Sequence, residues 1–338
     1  MKPFAPAIRA AARWQQALAC AAVAGLALAA APAVHADNGA YPNKPVRVIV
    51  PFPPGGGTDV VARMFATRLS QSMGQPFVID NRGGATGTIG TNAVANAAPD
   101  GYTLLVGSLS SHVLAPLTLE TDAKAADPVK DFTPIGMLAY HPMVLNVNPS
   151  VKANTVAELV AETKRRPMFY SSIGTGSLFH FAGAEFDQLT GAQASHVPYR
   201  GAAPALADLL AGQVQMMFDT IQSSLPHIQK GALKPIAVTA KKRSPLLPNV
   251  PTLAEEGLAD FDIASWVGML APAGTPKEVV DRLAAELDKL ARDRDFVAQA
   301  ARTGTDVPRM TPAEFGAILV KDQRQFAERF QRINLAGK

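Results

Sequence analysis

Val46 to Val50 is a short, mostly apolar run rich in β-branched residues, and Pro51-Phe52-Pro53-Pro54-Gly55-Gly56-Gly57 follows it as a turn. Thr58 and Asp59 then open a helical pattern carried by Val60, Val61, Met64, Phe65 and Leu69. Strand, glycine loop and helix in that order aim unpaired backbone N–H groups at an anion. Three successive glycines let the main chain approach a ligand without a Cβ in the way. The chemistry this suits is capture of one end of a small acid. Thr58 or Asp59 is placed to cap the helix.

Three more loops repeat the arrangement. Asn81 to Gly90 contains Gly84, Ala85, Thr86 and Gly87 ahead of a small-residue helix. Ser172 leads into Gly174-Thr175-Gly176-Ser177, ahead of a helix from Leu178. Arg200-Gly201-Ala202-Ala203-Pro204 opens a fourth helix. Ser108 and Asp219 each end an apolar run, where a ligand of an open α/β sheet sits. A helix N-terminus acts as roughly half a positive charge with free donors, so a carboxylate needs no dedicated cation there.

Arg200 has two readings, a bidentate grip on a carboxylate or a structural pair with Asp59 or Asp219. Asp59 facing an acid would repel it, which favours a capping or ion-pairing role. Asp219 could serve a ligand amine or hydroxyl, or a neighbouring backbone N–H. Phe52, Tyr199 and Trp266 are candidates either to line the cleft or to fill the core.

Other chemistries lack their signatures. No G-x-x-x-x-G-K-[ST] is present, and the Gly174-Thr175-Gly176 start of a dinucleotide fingerprint fails at Phe179. No G-x-S-x-G surrounds Ser108, Ser172 or Ser177. His112, His141, His180, His196 and His227 are dispersed with no H-E-x-x-H, so no metal site or cofactor is expected. His180, close to the third loop, is read as a packing or capping residue with contact to the site as the alternative. The only cysteine, Cys20, lies in the leader without a lipobox around it, so disulfides and thiol chemistry drop out.

The elements that must hold these loops are legible as alternating β-like and helical runs. Such an order predicts two α/β lobes, each with a mostly parallel sheet flanked by helices, joined by two crossings. Phe132 to Leu138 and Met143 to Val147 read as two apolar segments around Tyr140-His141-Pro142, where the first crossing falls. The chain returns to lobe 1 near Asp262 to Trp266. Thr155 with Glu158 reads as a capping box, and Thr275-Pro276 as N-cap and first residue of a helix. The last pattern, Pro312 to Ile333, reads as a surface helix on lobe 1. The divisions are 1–36 leader, 37–139 first part of lobe 1, 140–263 lobe 2, and 264–338 return to lobe 1 with the C-terminal helices.

Residues 1–36 read as an export signal. Lys2, Arg9 and Arg13 precede an uncharged, alanine-rich stretch, and Val34-His35-Ala36 offers small residues for cleavage after Ala36. A membrane anchor is the weaker reading, since a span wants about 20 strongly apolar residues. The leader carries three of the four net positive charges and no acidic residue, leaving the mature chain at +1. That balance gives no case for nucleic acid.

With these residues assembled, the chain resembles the Bug-type periplasmic solute receptors of the tripartite tricarboxylate transporter substrate-binding family. The matching segments are Tyr41-Pro42, Pro45 to Asp59, Asn81 to Gly90, Asp100 to Leu104, Ser171 to His180, Val197 to Gly201, Asp208 to Val214 and Trp266 to Pro272. The resemblance implies a type II periplasmic binding fold that closes on a small carboxylate. It implies no catalysis, and delivery to a membrane carrier with a large and a small subunit. By position it points to Gly57, Thr58 and Asp59, Gly84 to Gly87, Ser108, Ser172 to Gly176, Arg200, Gly201 and Ala202, and Asp219. Ligand identity has no side-chain signature. A monomer is the default expectation. The rival functions are an exported hydrolase or transferase on a two-lobe fold, acting through Ser108 or Ser172, and a sensor reporting to a membrane kinase.

Overall fold

The computed structural model describes residues 41–118, 125–259, 261 and 263–333. The leader, its cleavage point after Ala36, Cys20 and Asp262 lie outside the described residues. Among the described residues, no helix is long and apolar enough to cross a membrane.

The β-branched run forms β1 (Val46–Val50), and α1 (Gly57–Met73) follows the glycine turn. Next come β2 (Phe77–Asn81), a single 3-10 turn at Ala85–Gly87, α2 (Thr88–Ala95) and β3 (Thr103–Ser108). β1 pairs in parallel with β2 on one side and β3 on the other. Two helix-linked crossovers of this kind put both loops after β1 and β2 at the carboxyl ends of the strands. A π-helical turn at Ser110–Leu114 continues into the short helix Ala115–Thr118.

β4 (Phe132–Val147) is followed by α3 (Val156–Arg165), β5 (Met168–Ser172), α4 (Leu178–Thr190), β6 (Ala194–Pro198) and α5 (Ala202–Leu210). β7 (Met216–Thr220), α6 (Ile221–Gln229) and β8 (Lys234–Val238) complete this part. β5 pairs in parallel with β6 and β7, which repeats the earlier pattern. The chain then forms β9 (Ala264–Pro272), α7 (Lys277–Arg292), α8 (Arg294–Arg302) and α9 (Pro312–Ile333).

The expected two-lobe α/β fold is the fold observed. The strand path is β2-β1-β3-β9-β4-β7-β5-β6, with β8 also on β4. Parallel pairing holds in the outer three strands at each end, whereas β4 and β9 in the middle are antiparallel to their neighbours. β4 belongs to both lobes: up to Pro142 it pairs with β9, and from Met143 it pairs with β7 and β8. Thr239 ties the two connections side by side. Its backbone N–H donates to Met143 O at 2.9 Å, and its hydroxyl donates to Ile263 O.

Several local expectations need correction. The segments around Pro142 form one continuous strand, because Pro142 sits where β4 exchanges partners and a missing N–H disturbs least. Helix α7 starts one residue late, at Lys277. Pro276 is its N-cap, and the Thr275 hydroxyl donates backwards to Pro272 O at 2.8 Å. Half of the Thr155–Glu158 box forms as read, with Glu158 N–H donating to Thr155 Oγ1 at 3.2 Å, while the Glu158 carboxylate accepts from Asn154 N–H at 2.7 Å, one residue before the N-cap. Neither Thr58 nor Asp59 is the N-cap of α1. Gly56 is.

Helix α9 is more than a surface element of lobe 1. Phe315 packs edge-on against Trp266 at 5.2 Å, and Phe326 does the same against Phe181 of α4 at 5.3 Å. The helix therefore straps both lobes along the face where Trp266 Nε1 donates to Asp322 at 2.8 Å.

Candidate functional site

An inner cavity lies between the lobes. The β1–α1 turn supplies Phe52, Pro53, Pro54, Gly56, Gly57 and Thr58, and the start of α5 supplies Gly201, Ala202, Ala203 and Pro204. Ser108 at the end of β3, Ile173, Phe179, and Asp219 with Thr220 at the end of β7 complete the walls. His141, Ser265 and Val267, from the crossing strands β4 and β9, form the floor. The cavity's volume is about 40 Å³, room for a few waters or a small solute.

The two helices aimed into this cavity share a feature. α1 opens on Gly56 and α5 on Gly201, and neither has a side chain accepting from its first turn. The first-turn N–H groups of a helix have no partner inside it, so these two termini keep donors for a ligand. The neighbouring helices are spent: Ser177 caps α4 and Thr220 caps α6. At α4, Gly176 N–H also donates to His180 Nδ1 at 3.1 Å, and Leu178 N–H to Ser110 Oγ at 3.0 Å.

The backbone approach is close. A Cβ on Gly57 would stand 3.2 Å from Gln222 Oε1 and 3.6 Å from Thr220 Oγ1, both across the cleft. Further out, the Thr86 hydroxyl donates to Thr175 O at 2.8 Å and bridges the lobes. Gly174 has φ +127° there, and a Cβ on it would meet Thr86 Oγ1 at 2.8 Å. The loop therefore needs glycine on two counts.

Phe52, Gly57, Thr58, Ser108, Gly201, Ala202 and Asp219 thus lie on the inner cavity, as their positions in the sequence suggest. Gly84, Ala85, Thr86, Gly87, Gly174 and Arg200 line an adjoining outer opening, together with Asn81, Pro198 and Tyr199. Ser172, Thr175 and Gly176 line neither. The Ser172 hydroxyl lies 2.7 Å from His196 Nε2, with His196 stacked on His180 at 3.7 Å, inside lobe 2 and away from the cavity walls. Trp266 faces the opposite side, under α9.

The charged residues sort by their partners. Asp59 is buried and does not line the cavity. Its carboxylate accepts from Arg63 Nε, Gly55 N–H and Asn81 Nδ2, each at 2.9 Å. Burial alone would raise its pKa, but these hydrogen bonds outweigh it and hold the carboxyl below the usual range. Asp59 therefore shapes the glycine loop from behind, combining the reach-back of a cap with an ion pair. Asp219 accepts from Thr220 N–H at 2.7 Å, from Ser224 Oγ at 2.8 Å and from Ser223 Oγ. Burial pushes its pKa up against those donors. Arg200 pairs with neither aspartate. It is exposed at the outer opening.

His141, Thr220 and Ser265 were not identifiable in the sequence as site residues. His141 is 1 % exposed and sits opposite Ser265 in the β4–β9 ladder. Burial lowers its pKa to about 4, partly offset by its hydrogen bond to Gly304 O. It is neutral at physiological pH. Among the described residues, no group of three or more His, Cys, Asp or Glu could hold a metal ion.

Comparison with known proteins identifies the family. Residues 61–334 match the model of the tripartite tricarboxylate transporter family receptor. Protein BugT of Bordetella pertussis is 37% identical over 311 residues, covering 90% of this chain and 92% of that protein. The R. palustris protein Rpa4515, solved with adipate, is 34% identical with a TM-score of 0.84, covering 87% of this chain and 98% of that one. MatC from Rhodopseudomonas palustris, solved with bound malate, is 32% identical with a TM-score of 0.81, covering 86% and 99%.

Proposed function

The chain belongs to the tripartite tricarboxylate transporter receptor family, and from that premise we propose that it captures one small carboxylate between its lobes and delivers it to a membrane carrier. The family is one of solute-binding receptors, not of enzymes. The observation that carries the proposal is the pair of uncapped helix N-termini, α1 from one lobe and α5 from the other, meeting at one cavity. Two such ends give a carboxylate backbone donors and a favourable field without any cation. Adipate and malate in the related structures support an acid as the ligand class.

The proposed contacts are the first-turn backbone N–H groups at Gly57 and Thr58 and at Ala202 and Ala203, with the Ser108 hydroxyl as a side-chain donor. Phe52 covers the apolar part of the ligand. Gly84 to Gly87, Gly174 and Arg200 form the outer gate, and Ser172, Thr175 and Gly176 shape the loop behind it. The first division falls between Pro142 and Met143, where β4 exchanges partners, rather than at 139/140 as expected, and the second at 263/264; the lobes part there when the ligand leaves. The mature receptor is an exported monomer, cleaved after Ala36, and its closed form is what the large and small membrane subunits engage.

Thermal melting of ligand-stripped protein against a panel of mono-, di- and tricarboxylates tests the proposal. At least one acid is expected to raise Tm in a concentration-dependent way. No shift with any acid would contradict it.

A further inference from the structure

His141 is the one residue on the inner cavity with a buried side-chain atom that has no hydrogen-bond partner among the described residues. That atom is Nε2. The other ring nitrogen is 3.4 Å from Gly304 O. A carbonyl oxygen can only accept, so Nδ1 carries the proton and donates to it. In the neutral ring this leaves Nε2 as a bare lone pair, an acceptor with nothing to accept from. Gly304 is itself fixed in place, with φ +77° and so little room that a Cβ on it would stand 3.2 Å from Gln222 N. Ser265, opposite His141 in the ladder, and Thr220 line the same cavity, and neither hydroxyl donates to Nε2.

A buried acceptor with no donor is costly, and a ligand that supplies the donor removes the cost. A plain carboxylate cannot, because when ionised it only accepts. Resting on the receptor reading above, we infer that His141 is a specificity residue whose Nε2 accepts a hydrogen bond from an O–H or N–H of the ligand, so that the preferred solutes are hydroxy- or amino-substituted acids. Asp219, another acceptor on the wall, already takes three donors from its own turn, whereas His141 Nε2 takes none. The carboxylate sits at the helix ends, and the substituent points to the floor between β4 and β9.

Calorimetric titration of the stripped protein with matched acids tests the inference: malate against succinate, 2-hydroxyglutarate against glutarate, aspartate against succinate. The two hydroxy-acid pairs differ only in the donor, and aspartate differs from succinate in the charge of its ammonium as well. The donor-bearing member of at least one pair is expected to bind about tenfold tighter, and His141→Phe is expected to bring the two within about threefold. Equal affinity within every pair, or a preference that survives His141→Phe, would overturn the inference and leave the receptor reading standing. No binding by any acid would overturn both. Should the variant fail to fold, the wild-type protein decides by nitrogen NMR of labelled histidine. The His141 Nε2 resonance is expected in the unprotonated range, moving upfield with malate and not with succinate. A protonated Nε2, or no response to the donor-bearing acid that binds, would overturn it.

Discussion

Arg329 near the end of α9 grips Glu185 of α4 with two nitrogens, Nε donating to Oε1 at 3.1 Å and the second nitrogen to Oε2. The guanidinium also lies over the rings of Phe181 and Phe326, at 5.0 and 5.1 Å. Both partners are nearly buried, at 10 % and 12 % side-chain exposure. The pair fastens the last helix across to the second lobe. Arg329→Ala leaves a nearly buried carboxylate without its cation and uncovers two rings. A loss of roughly 2–4 kcal/mol in unfolding free energy is expected, read as a lower urea midpoint. An unchanged midpoint would show that α9 does not fasten the lobes.

Gly57→Val places a branched side chain where even a single Cβ would stand 3.2 Å from Gln222 across the cleft. Gln222 has limited room to give way, being nearly buried itself. The lobes then cannot close fully, and the first-turn donors of α1 are held back from the ligand. Binding of an acid that stabilises the wild type is expected to weaken at least about tenfold, a loss of about 1.4 kcal/mol or more. The unliganded melting temperature should change little. Undiminished affinity in a titration would refute this placement of the loop.

Thr86→Val removes the hydroxyl that donates to Thr175 O across the outer opening. One such bond contributes about 1 kcal/mol, so a several-fold weaker complex is expected. The change should appear in the dissociation rate, since the bond exists only when the lobes are together. Stopped-flow release of a bound acid reads this. A slower association with unchanged release would argue against the bridge.

How far this site could be read from the sequence depends on how local each determinant is. The β1 run, the Pro/Gly turn and α1 lie within one short stretch, so, while Phe52 stayed open between cleft and core, the glycine loop could be read as a ligand loop from its own residues. The same held for Thr155 and Glu158, three residues apart. The floor escaped because it is set by register: His141 faces the cavity only because β4 pairs it with Ser265. No spacing announces a contact so distant in the chain. The grip of α9 on α4 was hidden for the same reason, as Arg329 and Glu185 are 144 positions apart. The third glycine loop was legible as a loop, but its donors are spent locally. Ser177, three residues before His180, was the signal that could have shown this.

Three histidines predict how stability depends on pH. Burial lowers His112 and His141 to about 4 and, with His180 beside it, His196 to about 3. In the unfolded chain they titrate near about 6.5. Between those values the unfolded state binds protons that the folded state refuses, so stability rises with pH across the window. It is therefore present above about pH 6.5 and is lost as the pH falls toward about 4. For the fully buried His112 the loss amounts to roughly 3 kcal/mol. Urea midpoints measured from about pH 7.5 to about 4.5 should fall steadily, and His112→Gln should flatten the slope by about one proton. A flat wild-type profile would contradict these burials.

The central claim is that the helix ends of α1 and α5 hold the acid from both sides. The most direct measurement is an amide NMR titration of the stripped, isotope-labelled protein with an acid that raises its melting temperature. The backbone N–H signals of Gly57, Thr58, Ala202 and Ala203 are expected to move downfield together and to saturate at one acid per protein. An acid that binds without moving the amides at both helix ends would contradict the claim.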